Sequence, residues 1–498
     1  MNAIALPVAL PLLAAFLIPS LNRSVPPLAR MIGPATLLAC LYIVLDLALS
    51  AEVPVSVAMG GFLPPLGINF YGDQVALMFA ALVAAACLLL WPWGVGQDGQ
   101  EQDIRIHSLY LLLAASASGL ALSGDLFNIY VFYELVSVAS FGLVAARNTG
   151  ACFIASFRYL TLSALGTVLA LSGIALVYSQ TGTLNLAQLS LLAPDTLNNP
   201  MGLAAFALIL IGVGVKAELF PVNAWVPEVY ATTTVRVTAL LAGLVSKIAV
   251  LVIVRALVLV FPGEEARALM MVLGMLGVFA GEFSAWRATD FNRMLAYSSI
   301  GQLGMVLVAF SIPGDAGLLA GLALALHHLI VKPGLFLLAD QWAGALSRLQ
   351  GRAWGGTSQM FAALLFVLFA LSLVGVPPLP GFWAKLQLVL ALVAQQSALS
   401  HLALAVILLA TVVEANYLFR FSVSLFGSQQ GSSQGGGSLL KLADSALLGL
   451  VLIAAAIFIT PLADGLQTMA TEMADVALYT NTVLEPNDMA AGEVGAGQ

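Results

Sequence analysis

Four of the five lysines in this chain sit inside apolar runs, and its chemistry is concentrated there. Lys216 lies in "LILIGVGVKAELF", Lys247 in "VTALLAGLVSKIAVLVIV", Lys332 in "HHLIVKPGLFLLAD" and Lys385 in "GFWAKLQLVLALV". An ammonium at the centre of a membrane helix costs roughly 2.5–3.5 kcal/mol on insertion scales, so an ionisable group there defaults to a functional reading. Lysine rather than arginine is informative. A guanidinium keeps its proton under nearly all conditions, whereas a desolvated ammonium can lose it. Burial favours the neutral amine, and a neighbouring carboxylate restores the charge. A Lys–Glu pair that opens and closes is therefore a switchable proton site.

The carboxylates are sparse and placed accordingly. Glu134 is the one charge in "LFNIYVFYELVSVASFGLVAA", Leu126–Ala146. Glu218 stands two residues from Lys216. Glu414 follows Lys385 by 29 residues, much as Lys247 follows Lys216 by 31. Three of the lysines adjoin helix breakers: Lys216 precedes Pro221 and Pro227, Lys332 precedes Pro333-Gly334, and Lys385 follows "GVPPLPG". Interrupted membrane helices free backbone carbonyls, and transporters build ion sites there. Each residue has a plainer reading too. Lys385 could snorkel to the membrane edge, His328 and Lys332 could be polar packing at a break, and Glu414 could pair with Arg420. His327 faces away from His328. Asp290 and Arg293 read as holding a loop. Asp46 and Glu282 fall toward span ends and are assigned no role.

These residues require membrane helices to position them. The chain is 61% hydrophobic and 9% charged, with mean hydropathy +1.00, where a soluble domain is about a quarter charged. Apolar runs of about 18 residues or more recur along its length, so an all-α polytopic membrane protein is expected. About 14 spans are predicted by length and apolarity, near 3–20, 31–50, 73–94, 106–122, 126–146, 155–179, 200–220, 236–258, 266–284, 294–312, 316–340, 360–390, 398–424 and 442–462. The opening run has no basic residue before it, so it reads as a retained first helix rather than a cleaved signal. Numbered this way, connections after odd spans hold Arg23, Arg30, Arg105, Arg147, Arg158, Arg236, Arg287, Arg293, Arg348, Arg352 and Lys441; the others hold only Arg255 and Arg267, at the edges of one loop. The positive-inside rule then puts both termini on the outer side. All seven excess acidic residues follow Lys441. A flexible linker is expected at Gly427–Ser438, and beyond about Ala463 a short amphipathic helix before a disordered end.

Several functions are excluded. Cys40, Cys87 and Cys152 are scattered with no CxxC, so no iron–sulfur site or disulfide framework is implied. No HExxH and no Walker A lysine motif occurs, so ATP hydrolysis on this chain drives nothing, and no cofactor or metal is expected.

The ordered motifs "GDLFNIYVFYEL", "KAELFPVNAWVPEVY", "LLAGLVSK", "DFNRMLAYSSIGQLG", "HHLIVKPGLFLLAD" and "GVPPLPGFWAKL" resemble the proton-translocating antiporter-like subunits of Mrp cation/proton antiporters, respiratory complex I and membrane-bound hydrogenases. The wording around Gly124–Glu134 looks most like the D-type component of the Mrp antiporters. The resemblance runs from about residue 70 to 425. It implies 14 helices, with two inverted five-helix repeats at 106–260 and 261–425 between N-terminal helices (1–105) and a last helix with acidic tail (426–498), and breaks in helices 7 and 12. It implies a polar axis of Glu134, Lys216, Lys247, His328, Lys332 and Lys385, with Glu134 paired to Lys216, and an Arg158-Tyr159 pair on helix 6. This chain departs from the pattern at Thr232-Thr233-Thr234 with Arg236, and at Glu218, Gln302 and Glu414. The expected function is proton translocation within a multisubunit complex of the bacterial inner membrane, exchanging Na+ or K+ for protons. The rivals are a pump subunit of a redox complex and a non-transporting scaffold. The lipid bilayer and other membrane subunits are the expected partners; nucleic acid is not.

Overall fold

The structure, a computed structural model, describes residues 3–50, 53–93, 100–339, 357–426 and 442–485. The expected linker, Arg348, Arg352, Lys441 and the end of the acidic tail lie outside these residues.

Twenty α-helices follow in order: α1 (Leu6–Ser24), α2 (Pro26–Leu49), α3 (Gln74–Leu89), α4 (Gln100–Leu122), α5 (Leu126–Ala145), α6 (Gly150–Thr181), α7 (Leu186–Thr196), α8 (Pro200–Gly214), α9 (Val226–Thr232), α10 (Val235–Leu240), α11 (Ser246–Leu259), α12 (Glu264–Arg287), α13 (Phe291–Ser311), α14 (Asp315–Ala339), α15 (Thr357–Val374), α16 (Pro380–Gln395), α17 (Ala398–Leu425), α18 (Ala443–Ile457), α19 (Ile459–Ala474) and α20 (Val476–Leu484). A π turn, Leu241–Val245, joins α10 to α11. One antiparallel strand pair, β1 (Val55–Ala58) and β2 (Asn69–Gly72), sets Val55 opposite Gly72 and Ala58 opposite Asn69. Short polar residues punctuate the apolar chain by accepting the free N–H groups of helix starts. Asp73 caps α3, Asp125 α5, Thr149 α6, Asn199 α8, Thr234 α10 and Asp290 α13.

Among the described residues, ten helical stretches are long and apolar enough to cross a membrane, or eleven if the pair α18–α19, bent by 86°, is one span. The remaining expected segments form the shorter apolar helices α3, α8 and α15. The segment expected as one span at 360–390 is two helices, α15 and α16, and the one at 200–220 ends at Gly214. Gly375, at φ +91°, ends α15 ahead of the Pro377-Pro378-Pro380 cluster, and Pro380 opens α16, where its missing N–H is not needed; α8 ends seven residues before Pro221. The amphipathic helix expected after about Ala463 begins at Ile459 and buries Leu466, Ala470 and Met473 on one face.

The stretch Val235–Leu259, α13 and α14 are buried on nearly every side, whereas α1, α2, α6 and α17 show Phe16, Tyr42, Phe157 and Val412 to the exterior. Helices apolar all round belong in a core, and these central helices carry Lys247 and Lys332. Small residues let backbones approach closely, as in membrane helix pairs generally. Gly166 of α6 meets Gly212 of α8, and Gly281 of α12 meets Gly301 of α13, with no room for a Cβ at any of the four. Arg255, expected at a loop edge, is instead buried, with Nη2 donating to both Asp73 oxygens (3.0 and 3.1 Å) and Nη1 to the Ala121 carbonyl (2.8 Å). It ties α11 to the start of α3, beneath Tyr479 of α20.

Candidate functional site

The four lysines of the apolar runs are between 0% and 9% exposed, as are Glu218, Glu282 and Glu414. They fall into three neighbourhoods.

The first lies where α5 and α6 meet the end of α8. Lys216 follows the last turn of α8, with its Nζ over the Tyr133 ring (3.3 Å to the centroid) and donating to Ser163 Oγ (3.1 Å). Glu134 accepts a hydrogen bond from Thr167. No ion pair joins Glu134 to Lys216 within 4 Å among the described residues, so the direct contact implied by the family pattern is open here. Two hydroxyls one helical turn apart on α6 stand between them, and Thr167 Oγ1 also donates to the Ser163 carbonyl (2.9 Å). Sequence reading missed Ser163 and Thr167, because a hydroxyl in an apolar helix carries no distinguishing pattern. The Gly166–Gly212 contact brings them to Lys216, since Gly166 lies between them and Gly212 one turn before the lysine. Carbonyls freed at the break are taken up: Tyr133 donates to Gly212 O (2.9 Å) and Trp225 to Val215 O (2.9 Å). Arg158 is outside this group and pairs at the surface with Glu228.

The second neighbourhood is central. Glu218 sits in the break at φ +56°, a left-handed conformation that non-glycine residues hold only when the surroundings enforce it. Its Oε1 accepts from Tyr230 (2.7 Å), while Oε2 has no hydrogen-bond partner. The charges acting on it are Lys247 and Lys332. Lys247 Nζ donates to the Ala242 carbonyl in the π turn and to Ser246 Oγ (3.1 Å). π turns inside α-helices often mark functional positions, because they release carbonyls from the ladder. Gly243 of that turn receives Pro333, locking it against α14. His328 is buried beside Lys247 and Lys332 with neither ring nitrogen hydrogen-bonded. His327 points elsewhere, to Ser372 Oγ (2.9 Å). Lys332 Nζ donates to Ser298 Oγ (2.6 Å) and the Leu295 carbonyl (3.4 Å).

The third neighbourhood joins α12, α13, α16 and α17. Lys385 Nζ pairs with Glu414 Oε2 at 2.6 Å and donates to the Val374 carbonyl (3.3 Å), freed at the end of α15. Lys385 therefore does not snorkel, and Glu414 takes Lys385 rather than Arg420, which donates to the Trp286 carbonyl instead (3.3 Å). Gln302 Nε2 donates to Glu414 Oε1 (2.6 Å). Glu282, placed by length near a span end, is fully buried; Tyr417 donates to its Oε2 at 2.8 Å. Arg236 binds Asp444 (2.7 Å) and the Trp91 carbonyl (2.8 Å), away from the lysines. Asp290 and Arg293 face each other at 3.9 Å at the start of α13.

Residues 123–413 match the NADH:quinone oxidoreductase/Mrp antiporter transmembrane family, and the chain belongs to it. Curated relatives include the N-type component of the NADH-quinone oxidoreductase of Desulforudis audaxviator, 32% identical over 73% of this chain and 73% of that one. The D-type component of the Na+/H+ antiporter of Alkalihalophilus pseudofirmus is 30% identical over 67% of this chain and 69% of its own. Among solved structures, a chain of the archaeal membrane-bound sulfane sulfur reductase matches with TM-score 0.88 and 31% identity, covering 97% of this chain and 100% of that one. A chain of the Mrp complex from Dietzia sp. matches with TM-score 0.86 and 25% identity, over 97% and 100%.

Proposed function

We propose that this chain is a proton-translocating, antiporter-like subunit of a multisubunit membrane complex, equivalent to the D-type component of Mrp Na+/H+ antiporters. One observation carries the reading: four lysines lie buried among carboxylates and hydroxyls from Glu134 to Lys385, across the centre of a helical membrane protein. Static stabilisation explains this poorly, since desolvating an ion pair offsets most of its attraction. Shifting a charge against 100 mV costs roughly 2.3 kcal/mol, within reach of a changing Lys–Glu contact. Protons would pass by way of Glu134, Lys216, Lys247, His328, Lys332 and Lys385, with Glu218 and Glu414 setting the lysines' charge.

The same reading takes the helices as 14 spans, with α8–α9 the broken seventh and α15–α16 the broken twelfth. It takes 106–260 and 261–425 as inverted repeats, and both termini as facing out of a bacterial inner membrane. Glu134 belongs to the α5 stripe of exposed Phe127, Val131 and Val138 and is only half-buried. A carboxylate on a lipid-facing stripe is costly, which favours another membrane subunit against this face. Na+ or K+ would be the counter-ion exchanged.

A second reading is a pump subunit of a redox complex, favoured by the 32% identity to the NADH-quinone oxidoreductase component and by the sulfane sulfur reductase structure. Purifying the native complex and identifying its subunits separates the two. Co-purified redox subunits favour the second, and cation-dependent proton exchange in liposomes favours the first. Under both, Lys247→Ala in an intact complex stops proton flux; unchanged flux would leave only a scaffold.

A further inference from the structure

We propose that Glu282 and Tyr417 form a proton-holding station between Lys332 and the Lys385–Glu414 pair. This rests on the proton-translocating reading and adds residues to it.

Two hydrogen bonds carry the station. Lys332 Nζ donates to Ser298 Oγ (2.6 Å), and Tyr417 donates to Glu282 Oε2 (2.8 Å). Tyr417 thus aims its proton at the carboxylate. A proton that leaves Lys332 for Glu282 breaks one N–H bond at the lysine and forms one O–H bond at the carboxylate, Tyr417 taking up one proton as it releases its own. Lys332 ends neutral and Glu282 ends as a carboxylic acid. The alternative link along the same helices runs through Gln302, which joins Glu414 at 2.6 Å. A side-chain amide has no titratable proton and no vacant basic site in this range, so that link orients Glu414 without relaying a proton.

Glu282 is built to hold a proton. It is 0% exposed, as is Tyr417, and its Oε1 has no hydrogen-bond partner. A buried carboxylate with an orphan oxygen is unfavourable as a purely structural element. Oε1 rests on Gly301, where a Cβ would collide with it, and the Gly281–Gly301 contact is what brings α12 close enough to α13. The charged or titratable groups facing Glu282 are Tyr417 and Glu414 on α17, Lys332 on α14 and Lys385 on α16. Tyr417 follows Glu414 by three residues, so both lie on one face of α17. A proton on Glu282 thus changes the field at both Lys332 and the Lys385–Glu414 pair.

The test uses the complete complex in native membrane vesicles, energised by whichever of a Na+ gradient or an electron donor drives the wild type. Glu282→Gln and Tyr417→Phe are each expected to lower proton flux roughly tenfold, the scale of losing one hydrogen bond to a charged group, and to shift its pH profile; Glu282→Asp restores part of it. Infrared difference spectra across a pH jump are expected to lose one carboxylic-acid C=O band in Glu282→Gln. Wild-type flux in both variants, while Lys247→Ala abolishes flux, would overturn this station and leave the wider reading standing. Flux that survives Lys247→Ala overturns the wider reading itself. Reduced flux with the C=O band unchanged assigns Glu282 a structural role only. If Glu282→Gln does not assemble, Tyr417→Phe, which removes one hydroxyl, decides.

Discussion

At the scale of single residues, the informative feature is how each buried charge is partnered. Lys385 has a carboxylate at 2.6 Å, whereas Lys216 and Lys247 rest on an aromatic face, hydroxyls and a backbone carbonyl. The three neighbourhoods therefore differ in what holds each buried ammonium, a carboxylate for Lys385 and neutral groups for Lys216 and Lys247. Replacing both Ser163 and Thr167 by alanine should slow proton flux in vesicles about as much as Glu134→Gln, since either change cuts the same link to Lys216. Flux unchanged in the hydroxyl variant would remove α6 from the path. At the other end, Glu414→Gln leaves Lys385 buried and unpaired, and breaking such a pair costs about 3–5 kcal/mol. The purified complex should lose thermal stability. The double variant Glu414→Gln with Lys385→Met should regain much of that stability without regaining flux, which separates the two roles.

At the scale of elements, interrupted helices and glycine contacts put these side chains where they are. The breaks after α8 and α15 turn carbonyls inward, and Lys385 binds one of them. The π turn before α11 does the same for Lys247. Between elements, Gly166 against Gly212 and Gly281 against Gly301 set spacings that any larger residue would open. Gly212→Val should destabilise the protein by about 1–3 kcal/mol, the usual range for overpacking. It should also cut proton flux by more than that loss of folded protein accounts for, because α6 and its two hydroxyls move away from Lys216. Flux per folded complex, with folding followed by thermal unfolding, distinguishes these effects. By contrast, the Arg236–Asp444 pair is about a third and a quarter exposed, and such pairs contribute at most about 1 kcal/mol. Arg236→Ala should therefore leave flux near wild type.

At the scale of the whole molecule, the lysines and carboxylates are buried in a largely apolar core, and the last two helices fold back over it. Tyr479 of α20 packs on Tyr71 with ring centroids 4.1 Å apart, Thr480 meets Ser190 (3.0 Å), and Thr471 of α19 meets Asp315 (2.8 Å). None of these contacts touches the lysine groups. Truncation after Phe458 should lower thermal stability by uncovering the Arg255–Asp73 pair, while the complexes that do assemble keep their flux. Loss of flux in assembled complexes would instead make the tail helices part of the path.

Local composition was enough to foresee the helical membrane class, the position of the long apolar helices and the lysines within them, because hydropathy and helix-breaking residues act over one or two turns; it did not show the short helices α7, α9 and α20. The broken helices were marked by their prolines, but the partner of Glu414 was not: the sequence offers Arg420, six residues on, and the structure gives Lys385. What only the tertiary structure decided is who faces whom. Glu282 lies 18 residues into the 24-residue helix α12, so counting along one helix places it near a membrane edge; packing against α13 and α17 buries it completely. Ser163 and Thr167 look like ordinary hydroxyls until a glycine contact sets them beside Lys216. The direction of a side chain across a helix crossing depends on rotation and approach, which are properties of two elements together, and no single stretch of sequence carries them.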